Sequence, residues 1–273
     1  MIEDKIVLIT GVSSGIGRET AQLLAERGAR VFGTVRDFSR NGDLPGVSLV
    51  HMDVTDDGSV RDGVKSVLAK TGKIDVLMNN AGYGLTGALE ETSVEEAQEQ
   101  FDTNFFGALR VTQAVLPAMR RQRSGRIVNI SSALGFLPAP FMGIYGASKY
   151  ALEGYTETLD HEVRIFGIRA VLVEPVFTKT NIGKNKKVAQ NVIEAYAEQK
   201  EQTEGAIQHR ADKHDEPRRV AEIICRAVTD EPPRLRYPVG EGVTLSWLRR
   251  FVPVRIFDKR FRKRFQLMEP IWR

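Results

Sequence analysis

Six short apolar runs, Lys5–Thr10, Arg30–Thr34, Val47–Met52, Ile74–Met78, Arg126–Ile130 and Arg169–Val173, recur along the chain with helical patterns between most of them. A strand with one face in water alternates apolar and polar residues, whereas a strand that is apolar throughout must be covered on both faces. The pattern therefore predicts an α/β fold: a doubly wound parallel sheet with helices on both sides. Expected helices run from about Gly15 to Arg27, from a cap at Asp56 or Asp57 toward Lys70, from Val94 to Arg121 and from Tyr145 to Phe166. Ligands of such sheets bind beyond the carboxyl ends of the strands, and Thr10, Asp53, Asn79, Ser132 and Pro175 all fall at those ends.

No linker, repeat or low-complexity run divides the 273 residues, so residues 1–240 read as one domain. Within it, residues 176–216 turn polar and lysine-rich with few strong anchors, which reads as a mobile lid over the crevice. Residues 241–273 read as a basic amphipathic extension. From Arg249 onward nine basic residues face only Asp258 and Glu269, a local charge of +7 in a chain whose net charge is +4. The basic balance thus belongs to the tail, not to a nucleic-acid-binding body. Phe257, Phe261 and Phe265 repeat every four residues between these charges. Such a stripe packs on the domain or a neighbouring subunit, or it rests peripherally on an anionic membrane surface, and both readings stay open here. The start of the chain lacks the pattern of a secretory leader and no run has the length of a membrane span, so a cytoplasmic location is expected. Cys225, the single cysteine, sits in an apolar helical run, and the four histidines show no metal-ligand spacing; no metal is expected.

Two constellations carry chemistry. Thr10-Gly11-Val12-Ser13-Ser14-Gly15-Ile16-Gly17 lies directly after an apolar strand and directly before a helix, the context of a phosphate-binding turn. Gly11, Gly15 and Gly17 let the backbone turn tightly, while the helix N-terminus supplies amide donors. Downstream, Tyr145 and Lys149 are four residues apart on one helix face, and Ser132 stands at the end of the preceding strand. A phenol, an ammonium and a hydroxyl so placed can move a proton. A proton site and a dinucleotide site in one chain suggest hydride transfer.

In chain order, the glycine turn, Asn79-Asn80-Ala81-Gly82, Asn104, Ser132, Tyr145 and Lys149 resemble the short-chain dehydrogenase/reductase family over about residues 5–240, with its Rossmann fold. The resemblance implies Tyr145 as catalytic acid/base, Lys149 as the charge that favours its phenolate and binds the nicotinamide ribose, Ser132 as donor to the substrate oxygen, and Asn104 as holder of a relay water. It implies Ile16 against the cofactor, Asp53 and Val54 at the adenine, and Asn80, Ala81 and Gly82 behind the adenosine ribose. Where members that use NAD often carry an acidic side chain after the second strand, this chain has Val35 followed by Arg36, and Ser13 or Ser14 adds hydroxyl donors. A guanidinium suits a 2′-phosphate, so NADP(H) is expected over NAD(H). After the last of the six strands the family's Pro-Gly reads Pro175-Val176, a departure, with Thr178 and Thr180 as candidates for the carboxamide or pyrophosphate. Leu134, Phe136, Leu137, Phe141 and Met142 would wall an apolar substrate site, which favours a lipophilic ketone or alcohol. The stretch after the second strand looks closest to the NADP-preferring 17β-hydroxysteroid and retinol dehydrogenase-like branch, and members commonly pair as homo-oligomers through the two long helices. The alternative, a non-catalytic NADP(H)-sensing protein on the same fold, would be expected to lack the tyrosine or the lysine, and this chain keeps both.

Overall fold

Every one of the six apolar runs forms a strand of a single parallel sheet in the computed structural model, which describes residues 2–40, 44–176, 186–211 and 217–268. The elements in order are β1 (Ile6–Ile9), α1 (Gly15–Glu26), β2 (Arg30–Val35), β3 (Val47–His51), α2 (Asp57–Thr71), β4 (Val76–Asn79), β5 (Leu85–Thr86), α3 (Val94–Phe101), α4 (Gly107–Gln122), β6 (Gly125–Ile130), α5 (Gly143–Val163), β7 (Ile168–Glu174), β8 (Lys187–Val188), α6 (Ala197–Ala211), α7 (Pro217–Thr229), β9 (Arg236–Pro238), α8 (Gly242–Phe251) and α9 (Val254–Arg264). The main sheet has the order β3-β2-β1-β4-β6-β7-β9. The strands stay parallel, but the side on which the chain adds them switches between β1 and β4, which opens a crevice at their carboxyl ends.

Successive residues of each strand enter opposite layers, which is why the runs are apolar throughout. Val7, Ile9, Val76, Met78, Val128 and Val171 join α1 and α7 residues such as Leu24, Ile224 and Val228. Ile6, Leu8, Leu77, Ile127 and Ala170 join Val64 and Val67 of α2, Val111 and Met119 of α4, and Leu159 of α5. Each such side chain, taken out of water, contributes roughly 1.5–3 kcal/mol. Asp56 caps α2 by accepting from the Ser59 amide, and Ser93 with Glu96 forms a reciprocal capping box on α3.

Three features differ from the sequence expectations. The expected helix from Val94 to Arg121 is broken by a π turn at Asp102–Phe106, where Asn104 points inward to bond the Tyr83 backbone and Gly107 lies tight against Val54. A seventh strand, β9, is only three residues and carries an arginine, so no periodicity marks it. The described part of 176–216 is well anchored. β8 pairs with β5, and the buried Glu91 accepts from Ala88 N at 2.8 Å, Ile193 N at 3.0 Å and Lys200 Nζ at 3.2 Å. Of the two readings of the tail stripe, the structure shows packing on the protein: Phe265 is buried, its ring lies 4.6 Å from that of Phe261, and its carbonyl accepts from Thr203 of α6 at 3.4 Å. Among the described residues no helix is long and apolar enough to cross a membrane.

Helix α5 is fixed to the sheet by Asp160. Its carboxylate is fully buried and accepts from Arg169 Nε at 2.8 Å, Ala170 N at 2.9 Å and Arg164 Nε at 3.0 Å. Burial opposes its ionisation, but these donors outweigh it and hold the carboxyl below its usual range. That contribution is present above the ordinary carboxylate pKa and is lost as pH falls through the lower folded value. Asp160→Ala, which strands Arg169, is expected to cost about 2–4 kcal/mol in denaturant unfolding near neutral pH, the difference narrowing in acid.

Candidate active site

The crevice between β1 and β4 encloses about 1560 Å³. At one end the glycine turn leaves β1 with Gly11 at φ 72° and Gly15 at φ 61°, a left-handed backbone that a residue with a Cβ enters only with strain. Ser14 stands at the N-cap of α1 without making a side-chain cap, so the first amides of that helix are left for a ligand. The turn is clamped from β4: Asn80 Nδ2 donates to Thr10 O at 2.9 Å and Gly11 O at 2.8 Å, while Thr10 Oγ1 accepts from Asn80 N and Ala81 N. Gly17 does not line the crevice. A Cβ there would lie 2.3 Å from both Gly11 O and Asn80 Nδ2, so its role is close packing of helix on turn. These features fit a dinucleotide's pyrophosphate.

Ser13, Ser14, Ile16, Arg36, Asp53, Val54, Asn80, Ala81 and Gly82 all line this end. Asp53 accepts from Thr55 N at 2.9 Å and Thr55 Oγ1 at 2.8 Å. Burial pushes its carboxyl up, but the Thr55 donors and the Arg36 guanidinium prevail and it lies below the usual range. Arg36 is exposed at the rim, and the next carboxylate, Asp37, accepts from Ser39 N at 2.8 Å and Ser39 Oγ at 2.7 Å.

The other end holds Ser132, Tyr145 and Lys149, all buried, together with Leu134, Phe141, Met142, Pro175 and Val176. Phe141 adopts φ 61°, strain of the kind found at functional sites, and its ring meets Tyr196 of the segment before α6 at 6.4 Å. Phe136 and Leu137 do not line the crevice: Phe136 is half-buried away from it, and Leu137 faces a second cavity. Val176 needs no glycine, since it is not in the left-handed region and Gly242 makes room for its side chain. Thr178 and Thr180 lie outside the described residues.

Lys149 Nζ donates to Ile130 O at 2.8 Å and lies 5.8 Å from the centre of the Tyr145 ring. Burial pulls this ammonium down to about 8, against the opposing pull of the Glu153 carboxylate. The phenol of Tyr145 is buried beside this ammonium. Burial raises it above its ordinary value, and the Ser132 hydroxyl acts in the other direction. A buried, protonated phenol beside a hydroxyl can deliver a proton to an oxygen placed between them. Asn104 sits behind the crevice wall, where its amide receives Tyr83 N at 3.1 Å, donates to Tyr83 O at 3.0 Å, and reaches Ser148 Oγ at 3.4 Å.

A carboxylate cluster behind Lys149 went unread in the sequence. Glu153, one turn beyond the lysine, and Glu174, at the end of β7, share the Arg236 guanidinium of β9, which also bonds Glu157 at 2.7 Å. Burial and the neighbouring Glu174 push Glu153 up to about 7, and burial raises Glu174 as well. The i, i+4 spacing from Lys149 is the one signal that points to Glu153.

The family model described as short chain dehydrogenase matches residues 5–191. A 3-ketodihydrosphingosine reductase of Bacteroides thetaiotaomicron is 40% identical over 255 residues, covering 90% of this chain and 94% of that protein. Human retinol dehydrogenase 8 is 43% identical over 183 residues, 63% of this chain and 58% of its own length. The solved structure of a short-chain dehydrogenase from Streptomyces avermitilis superposes with a TM-score of 0.83 at 35% identity, over 95% of this chain and 96% of that one. With the parallel sheet and its crevice, these likenesses establish that the chain belongs to the short-chain dehydrogenase/reductase family and is an NAD(P)-dependent oxidoreductase of the CH–OH group.

Proposed function

We propose that this oxidoreductase uses NADP(H) and interconverts a carbonyl and a secondary alcohol on a lipophilic substrate. The observation that carries the reading is the joining of two ends in one crevice, a phosphate cradle rimmed by Arg36 and a buried Ser132, Tyr145 and Lys149 set against apolar residues. When bound, the nicotinamide supplies or takes the hydride.

The protein's own groups do the rest. Tyr145 gives its phenolic proton to the carbonyl oxygen in reduction and retrieves it in oxidation, while the Ser132 hydroxyl holds that oxygen as charge develops on it. Lys149 binds the nicotinamide ribose and, as ammonium, eases loss of the phenolic proton. Asn104 keeps the Tyr83 loop in place and holds open the π turn, the setting in which a relay water would bind beyond Lys149. Leu134, Phe141 and Met142 leave the substrate an apolar wall, and the name of the Bacteroides relative, a ketone reductase, supports the same direction of thought. A cofactor sensor without turnover has no use for this set.

For the cofactor, Arg36 lines the rim of the crevice, while one oxygen of the neighbouring Asp37 carboxylate accepts from Ser39 N and Ser39 Oγ. Arg36→Leu is expected to weaken NADPH binding about 10- to 150-fold in direct titration, the cost of a charged hydrogen bond of about 1.5–3 kcal/mol, with NADH binding changed little. An equal loss for both would assign Arg36 another role. Tyr145→Phe is expected to keep NADPH affinity within a few-fold and to cut kcat about 10²- to 10⁴-fold; full activity would refute the mechanism.

The Lys149 ammonium is present below about pH 8 and lost above it. Glu153→Gln removes the carboxylate that holds it up, so the alkaline limb of kcat/KM is expected to move to lower pH. Superimposable pH profiles of variant and wild type would detach Glu153 from the lysine.

A further inference from the structure

Beside the catalytic crevice lies a second cavity of about 450 Å³, walled by the loop after β6 and by the two tail helices. It adjoins the crevice: Ala133, Leu134 and Val176 line both. Leu134 is two residues from Ser132 and its amide donates to the Ser132 hydroxyl at 3.2 Å, so the shared wall lies next to the position where a substrate oxygen would be held.

The walls are built for hydrocarbon. Helix α8 contributes Leu245 and Leu248, Val252 follows at its end, and Phe257, Phe261 and Phe265 come next at four-residue intervals, the first two stacked with ring centres 5.8 Å apart. Charged lining residues stay at the margin: Arg260 and Lys263 are exposed, and Arg264 is bridged to Glu241 at 2.7 Å. A polar occupant would therefore lose its water without gaining partners inside, whereas a hydrocarbon chain would lose nothing.

Resting on the function proposed above, we propose that this cavity receives the hydrocarbon tail of a long-chain substrate whose carbonyl or carbinol carbon lies at Ser132 and Tyr145. The tail helices are then part of the specificity apparatus: they set how much chain is covered, while the crevice sets where it reacts.

Binding and turnover separate this proposal from the reading beneath it. Straight-chain 2-alkanols of increasing length are titrated calorimetrically into the Tyr145→Phe variant saturated with NADP⁺, whose residual turnover is too slow to dominate the heat of binding. Affinity is expected to rise about fourfold per added methylene until the chamber is full. Leu248→Trp and, separately, Leu245→Trp, each placed in that Tyr145→Phe background and shown to bind NADPH and melt as it does, should abolish the gain for long members and leave the shortest unchanged. A length-independent affinity, or an equal loss at every length in both filling variants, would overturn the chamber. If length-dependent binding is found but wild type oxidises no member, the chamber stands and the assigned chemistry falls. Turnover by wild type with length-indifferent binding refutes the chamber alone.

Discussion

The clamp between the ends of β1 and β4 governs the rest of the molecule. Asn80 reaches across to the carbonyls of Thr10 and Gly11 while Thr10 receives the amides of Asn80 and Ala81, so the phosphate turn and the loop after β4 form one hydrogen-bonded unit. Glycine at position 17 follows from that closeness, since no side chain fits between Gly11 O and Asn80 Nδ2. With the turn so fixed, α1 points its free amides into the crevice and the carboxyl ends of β6 and β7 form the opposite wall.

A second buried polar chain works at the same level across the sheet. Asn79 donates to Thr112 of α4 at 3.0 Å and to Asn129 of β6 at 2.8 Å, and Asn129 passes on to Thr156 of α5 at 2.8 Å. These bonds cost desolvation and return little net stability, but they fix α4, β4, β6 and α5 in one register. Since α5 carries Tyr145 and Lys149, and Asp160 ties its other end to β7, the proton-moving groups stand on a helix that is held at both ends.

Much of this was legible in the sequence because it depends on local rules. Strands buried on both faces have to be apolar throughout, a glycine turn has to sit between strand and helix, and Tyr145 and Lys149 have to be four apart to share a helix face. What was not legible depends on contacts between distant segments. The π turn at Asn104 arises from the Tyr83 backbone packed against it, not from propensity at that position. The Glu153, Glu174 and Arg236 cluster brings together three elements, one of them a three-residue strand with no pattern of its own. Phe136 and Leu137 were apolar and close to Ser132 in sequence, yet the short helical turn after β6 sends Leu137 toward the tail cavity and leaves Phe136 outside the crevice. The lysine-rich segment looked loosely held because its anchors, β5 and Glu91, lie about a hundred residues earlier.

The central claim is that one crevice holds both a dinucleotide and a proton-moving tyrosine, and that hydride passes between them. It is tested most directly by supplying NADPH deuterated at the transferable position of the nicotinamide together with a long-chain ketone, then examining the alcohol product by mass spectrometry. The expected result is one deuterium on the carbinol carbon for each NADPH consumed. Tight NADPH binding with no deuterium transferred to any of a range of lipophilic ketones would contradict the account.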